Sequence, residues 1–247
     1  MGEVLVVTSG KGGTGKTTLC AGLASCLAAM GQRVLAIDCD IGLSNLDIAL
    51  GMTDCATVSF LDVMMENQYL SDAPHHPVIA GLQLLTAPSK TRAGLVDDII
   101  FGRLIEEAAE TYDWVLLDAP AGIGFGFDLA AAYATRAIIV STPDAAALRD
   151  GQHTASLLVD KGISPIELVV NRVSRRLLGS LRSNVDDIMD SIGLPLLGLI
   201  PEDSAVPVAA SQGSALVLRS RKGAAVACLH ISRRLLGIEA PLMHMHF

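Results

Sequence analysis

Aromatic residues are scarce: one Trp, three Tyr and five Phe in 247 residues. With half of all residues hydrophobic, the core must be built from Val, Ile, Leu and Ala, a palette that suits buried parallel strands covered by helices. Cysteine is sparse and unpatterned. Cys20, Cys26, Cys39, Cys55 and Cys228 form no C-x-x-C pair, and no His/Cys cluster has metal-ligand spacing. That predicts buried thiols in a reducing cytoplasm, not a disulfide framework or a zinc site. His75 and His76 lack a third ligand nearby in sequence, so Ser71 to Pro77, with its two prolines, is read as a surface loop.

Long apolar runs are missing too. None reaches the roughly 18 residues that a membrane-spanning helix needs. The first residues carry no charged leader, apolar stretch and small-residue cleavage site, so no signal peptide is expected. Positive charge is in deficit, with 18 Lys and Arg against 26 Asp and Glu and a net charge of −8, which weighs against general binding of nucleic acid. The charge is uneven. Met1 to Asn171 holds nine basic and twenty acidic residues, and Arg172 to Arg234 nine basic and five acidic. The basic third contains Arg172, Arg175, Arg176 and Arg182, then Arg219, Arg221 and Lys222. These are either solvated helix faces or a surface for an anionic partner, each residue being worth about 1 kcal/mol beside an anionic bilayer.

What is present is an alternation. Short β-branched runs lie at Val4 to Val7, Val34 to Ile37, Leu82 to Leu85, Trp114 to Leu117, Ala137 to Val140, Glu167 to Val170 and Leu196 to Ile200. Between and after them lie segments of helical period at Lys16 to Met30, Ser44 to Leu50, Thr57 to Met65, Leu95 to Thr111, Gly126 to Thr135, Ala145 to Lys161, Arg182 to Ile192, Ser204 to Gln212 and Gly223 to Leu236. This predicts an α/β fold with a mainly parallel sheet and helices on both faces, formed as one domain over residues 1–237. Ligands of such sheets bind beyond the C-terminal ends of the strands.

The residues that follow the strands bear this out as chemistry. After the first strand comes Gly10-Lys11-Gly12-Gly13-Thr14-Gly15-Lys16-Thr17-Thr18, which contains the phosphate-loop pattern G-x-x-x-x-G-K-[ST] in its strand-loop-helix setting. Its glycines let backbone N–H groups turn inward around an anion, and the helix N-terminus adds partial positive charge. Lys16 is expected to reach the β- and γ-phosphates of ATP, and the Thr17 hydroxyl to ligate Mg²⁺. After the second strand, Asp38 suits the metal's shell and Asp40 the alignment of an attacking water, with Asn45 as a further candidate for that water. Structural capping is the competing reading for both carboxylates. Asp118 ends an apolar strand as the expected acidic partner of Mg²⁺. The Gly122 amide is placed to sense a γ-phosphate. Asn171 and the backbone after Pro201 are candidates for the adenine edge.

Lys11, between glycines, is unusual in a plain phosphate loop. The form K-G-G-x-G-K-T-T resembles the deviant loop of the MinD/ParA family, and the resemblance extends over nearly the whole chain. It is carried by VVTSGKGGTGKTT, IDCDIGLSNLDIALG, LLDAPAGI, TPDAAALRD, VVNRVS, LLGLIPED and RRLLG, and is strongest for the MinD branch that acts in division-site selection. It implies an Mg²⁺-dependent ATPase whose product is ADP and phosphate. It implies an ATP-dependent homodimer in which Lys11 reaches the partner's phosphates, an inhibitor of MinC type, an activator of MinE type, and reversible attachment to the inner face of the cell membrane. Partitioning and flagellar-placement ATPases are the alternatives. Acidic balance argues against the first and the lack of residues before the first strand against the second. Amide ligases and iron–sulfur carriers with this loop need a glutaminase domain or bridging cysteines that the chain does not supply. One departure concerns the end of the chain. Ile238 to Phe247 has no Lys or Arg and contains Pro241, so it does not form the basic amphipathic helix by which such proteins lie on a bilayer. Met243, Met245 and Phe247 are left as weak insertion candidates, the alternative being a tail that packs on the body.

Overall fold

A computed structural model describes residues 1–174 and 185–243. All seven expected strands form: β1 (Glu3–Thr8), β2 (Val34–Asp38), β3 (Leu82–Leu85), β4 (Trp114–Asp118), β5 (Arg136–Ser141), β6 (Ile166–Val173) and β7 (Leu196–Pro201). They make one parallel sheet in the order β3-β2-β4-β1-β5-β6-β7. The helices are α1 (Lys16–Ala29), α2 (Leu46–Leu50), α3 (Phe60–Met64), α4 (Asp98–Thr111), α5 (Phe125–Ala132), α6 (Ala145–Asp160), α7 (Val185–Ile192), α8 (Ala205–Ser211), α9 (Leu216–Arg219) and α10 (Ala224–Leu235).

The strands read as continuous apolar runs because both faces are covered. In β1, Leu5 and Val7 join the core under α1 and α10, while Val4 and Val6 join the core under α4 and α5. The same period of two divides Val34 and Ala36 from Leu35 and Ile37 in β2, and Trp114 and Leu116 from Val115 and Leu117 in β4. Phe60 of α3 meets Phe101 of α4 edge-on at 5.3 Å between centroids, tying the second core to its outer helices.

Helix α1 has eleven of its fourteen residues buried, because it lies between the sheet and α2 and α10. Small residues allow this. A Cβ on Gly22 would stand 2.6 Å from Cys228 Sγ of α10. The first turn of α1 starts from Gly15, whose φ of 96° is left-handed backbone that a side chain would strain.

Differences from the sequence reading are local. Leu70–Asp72 and Lys90–Leu95 are short 3₁₀ turns, α4 begins only at Asp98, and α9 is an extra turn. Such pieces are too short for periodicity to declare. The surface-loop reading of Ser71 to Pro77 is corrected at His76, which is buried. Its Nδ1 accepts from the N–H groups of Val78 and Ile79, and its Nε2 lies 3.0 Å from the Leu50 carbonyl. His76 thus clamps this loop to the end of α2. Among the described residues no group of His, Cys, Asp and Glu forms a metal cluster, and four of the five unpaired cysteines are buried. No described helix is long and apolar enough to cross a membrane. Arg175, Arg176, Arg182, Met245 and Phe247 lie outside the described residues.

Candidate functional site

The central strand of the sheet sets the site. β1 is flanked by β4 and β5 and ends at Thr8, so the loop from Gly10 to Thr17 rises at the middle of the sheet's C-terminal edge. The register places Asp38 of β2 beside Asp118 of β4, and Val7 of β1 beside Asp118. The carboxylates that are 80 residues apart in sequence therefore arrive together beneath the phosphate loop.

The loop is held from two sides. Gly10 sits against the backbone of Asp150 in α6, where a Cβ would collide with that helix. Asn171, past the middle of β6, donates from Nδ2 to the Thr14 carbonyl at 2.7 Å, and a Cβ on Gly15 would collide with the same amide. Asn171 Oδ1 accepts from the Arg172 N–H. Its side chain thus shapes the loop, and it also lines the cavity beside the loop, where the adenine contact is expected of it. Gly13, with φ 79° and open space around its Cα, supplies a turn without a packing constraint. Gly12 lies beside Ala121. Gly122 donates a long 3.4 Å hydrogen bond from its amide to the Ser9 carbonyl, which joins the start of the phosphate loop to the segment after β4.

Lys16 is buried at the start of α1, and burial lowers its pKa against the opposing pull of Asp118 and Asp40. Asp118 is buried, accepts a hydrogen bond from the Thr17 hydroxyl, and has an Oδ1 with no hydrogen-bond partner among the described residues. Its pKa is raised to about 7, chiefly by burial and then by the Asp38 charge. Asp38 is different. Its Oδ1 accepts from the Asp40 N–H, and its Oδ2 from Ser44 Oγ and the amides of Asn45 and Leu46. Four hydrogen bonds make it the organiser of the 38–46 turn, with burial raising its pKa against their effect. Asp40 is half-buried, its pKa raised by burial and by Asp38 and lowered by Lys16. Asn45 donates from Nδ2 to the Leu43 carbonyl within its own turn.

Two carboxylates, Asp118 and Asp40, thus act on one lysine, and Asp38 acts on both of them. A buried carboxylate oxygen without a partner, next to a threonine hydroxyl, is a donor set of hard oxygens suited to Mg²⁺. Beside it lies a cavity of about 310 Å³, lined by Gly15, Thr18, Arg172, Pro201, Glu202 and Asp203 among others. Asp203 closes its floor by accepting from the first amides of α8 and α10. The size and the direct continuation from the loop suit a nucleoside.

Lys11 leaves this cluster. Its Nζ pairs with Asp144 Oδ1 at 2.9 Å. Asp144 caps α6 by accepting from the Ala147 amide and also accepts from Thr142 Oγ1 at 2.6 Å. Asp144 was not among the sequence candidates, although it lies three residues beyond β5 and satisfies the strand-end rule that selected the others.

A family model described as the CobQ/CobB/MinD/ParA nucleotide binding domain matches residues 5–217. The septum site-determining protein MinD of Synechocystis is 35% identical over 246 residues, covering 98% of this chain and 92% of that protein. Among solved structures, the MinC:MinD cell division protein complex of Aquifex aeolicus superposes with a TM-score of 0.89 at 34% identity, covering 98% of each chain. MinD of Pyrococcus horikoshii, complexed with Mg-ADP, gives 0.85 at 29%, covering 95% of this chain and 96% of that one. The chain belongs to the MinD group of the CobQ/CobB/MinD/ParA nucleotide-binding family.

Proposed function

We propose that this protein is an ATP-driven dimerisation switch in the placement of the division septum, with residues 1–237 acting as one ATPase domain. The observation that carries this reading is the loop from Gly10 to Thr18 standing over Asp118, with Lys11 directed away from the cluster. Loop amides from Gly12 to Thr18 and Lys16 cradle the phosphates, and the nucleoside lies in the cavity by Arg172 and Pro201. Thr17 and Asp118 hold Mg²⁺, with Asp38 supporting from the next strand. The ion, when bound, neutralises charge on the transferred phosphoryl group.

In this reading Asp40 aligns the attacking water and Gly122 responds to the γ-phosphate. Its bond to Ser9 is long enough to exchange. Lys11 breaks from Asp144 to reach the phosphates of a second copy, so that assembly completes the site. Hydrolysis to ADP and phosphate then releases the dimer. An inhibitor of the MinC type and an activator of the MinE type are the partners, at the inner face of the membrane by peripheral contact. The acidic balance speaks against DNA as a partner. The test is Asp40→Ala in MgATP. The variant is expected to accumulate as an ATP-bound dimer with turnover reduced at least about 100-fold. Turnover at the wild-type rate removes the role of Asp40.

A further inference from the structure

Three stretches of the chain hold no acid. Val4 to Ile37, Ala73 to Val96 and Ser204 to Ile238 contain not a single Asp or Glu, in a chain that has 26 of them. The fold stacks parts of these segments together. Helix α1 pairs with α10, α9 touches both, and Ile79 joins the same core. The opposite layer is acidic: α4 alone carries Asp98, Glu106, Glu107 and Glu110.

Where these three stretches meet lies an apolar groove of about 410 Å³, bounded by the end of α1, by α9 and by the outer side of α10. Nine of its eleven lining residues are apolar, Met30, Val217, Val226 and Leu229 among them. Leu218 on its wall is 44% exposed, and Val78 beside Ile79 is 68% exposed. Arg221 lines one rim, with Arg219 and Lys222 next to it along the chain; all three are exposed, and none forms an ion pair among the described residues. Cys26 in the groove is ten residues along α1 from Lys16, about 15 Å. The groove is therefore separate from the phosphate site.

We infer that this groove is a docking site for an amphipathic helix of another protein, one that carries acidic residues along an edge of its apolar stripe. A recessed apolar trough receives protruding side chains spaced i, i+3, i+4 and i+7. A bilayer has no such projections to fill it. The cations on a single rim fix the orientation of the helix, and no carboxylate lines the groove to compete with those of the helix. The rest of the chain carries 15 basic against 26 acidic residues, a net negative charge that disfavours the same helix elsewhere.

The test is fluorescence anisotropy of the full chain with a labelled helix-forming peptide of about four turns, carrying a Leu stripe at that spacing and a Glu edge. Its counterpart has Lys in place of Glu. The Glu peptide is expected to bind at least about tenfold more tightly, and to weaken as salt rises. Leu218→Glu is expected to abolish binding, and the combined Arg219→Glu, Arg221→Glu and Lys222→Glu chain to reverse the preference, with circular dichroism and basal ATPase activity unchanged in both. Equal binding of the two peptides overturns the inference. So does binding that survives both variants. Phosphatidylglycerol vesicles that bind through Leu218 while neither peptide does would assign the face to lipid. Self-association that Leu218→Glu abolishes, again without peptide binding, would assign it to a second copy. Either result overturns it.

Discussion

Lys11 Nζ lies 2.9 Å from Asp144 Oδ1, so the lysine expected to serve a second chain is paired within its own. Both side chains are over a third exposed, and a pair of that kind is worth only about 0.2–1 kcal/mol. That is weak enough to exchange for a phosphate. Asp144→Asn keeps the cap on α6 and removes the charge. The ATP-dependent dimer is expected to form at roughly two- to thirtyfold lower protein concentration, since two such pairs, one in each copy, no longer oppose it. Sedimentation equilibrium in ATP reads this; an unchanged or weaker dimer contradicts it.

Asp118 gives the pH dependence. Its pKa is raised to about 7 from 3.8 by burial and by Asp38. A raised carboxyl binds its proton more tightly in the folded state, so its stabilising contribution is full below about 4 and is lost as pH rises through about 7. Without nucleotide, Asp118→Asn is therefore expected to gain stability over the wild type as pH rises from 5 to 8, by roughly 1–3 kcal/mol. Mg²⁺ competes with that proton. Nucleotide affinity in Mg²⁺ is expected to rise between pH 6 and 8, and Asp118→Asn to lose this rise. Thermal melts and titration calorimetry at the two pH values check both.

The two left-handed glycines separate strain from contact. Gly13→Ala meets open space and is expected to cost about 1–2 kcal/mol from backbone alone. Gly15→Ala meets Asn171 as well and is expected to cost more and to abolish nucleotide binding. Equal losses in chemical denaturation contradict the contact.

Asn171→Ala leaves the Thr14 carbonyl without its 2.7 Å donor. If Asn171 shapes the loop, ATP and GTP affinities fall together, by roughly tenfold. A loss confined to ATP would instead mark it as a reader of the base.

The sheet was legible because seven apolar runs, each bounded by turn residues and followed by a helical stretch, admit few arrangements. The placement of Asp38, Lys16 and Asp118 on one edge followed from the strand-end rule. The Lys11–Asp144 pair spans 133 residues, and no local pattern announces such a contact. For the same reason the four hydrogen bonds of Asp38, the duty of Asn171 on Thr14 and the burial of His76 needed coordinates. The charge split was read along the chain, first part against last. The fold sorts it by layer, because β1–α1 and α8 to α10 share one face while α3 to α6 share the other.

The central claim is that the phosphate loop is half of a composite site completed by Lys11 of a second copy. Sedimentation velocity of wild type and Lys11→Ala in ATP, beside a direct measurement of bound nucleotide, tests it most directly. The account predicts a wild-type dimer in ATP, a monomer in ADP, and a Lys11→Ala chain that still binds ATP yet stays monomeric. A Lys11→Ala chain that dimerises in ATP as the wild type does would contradict it.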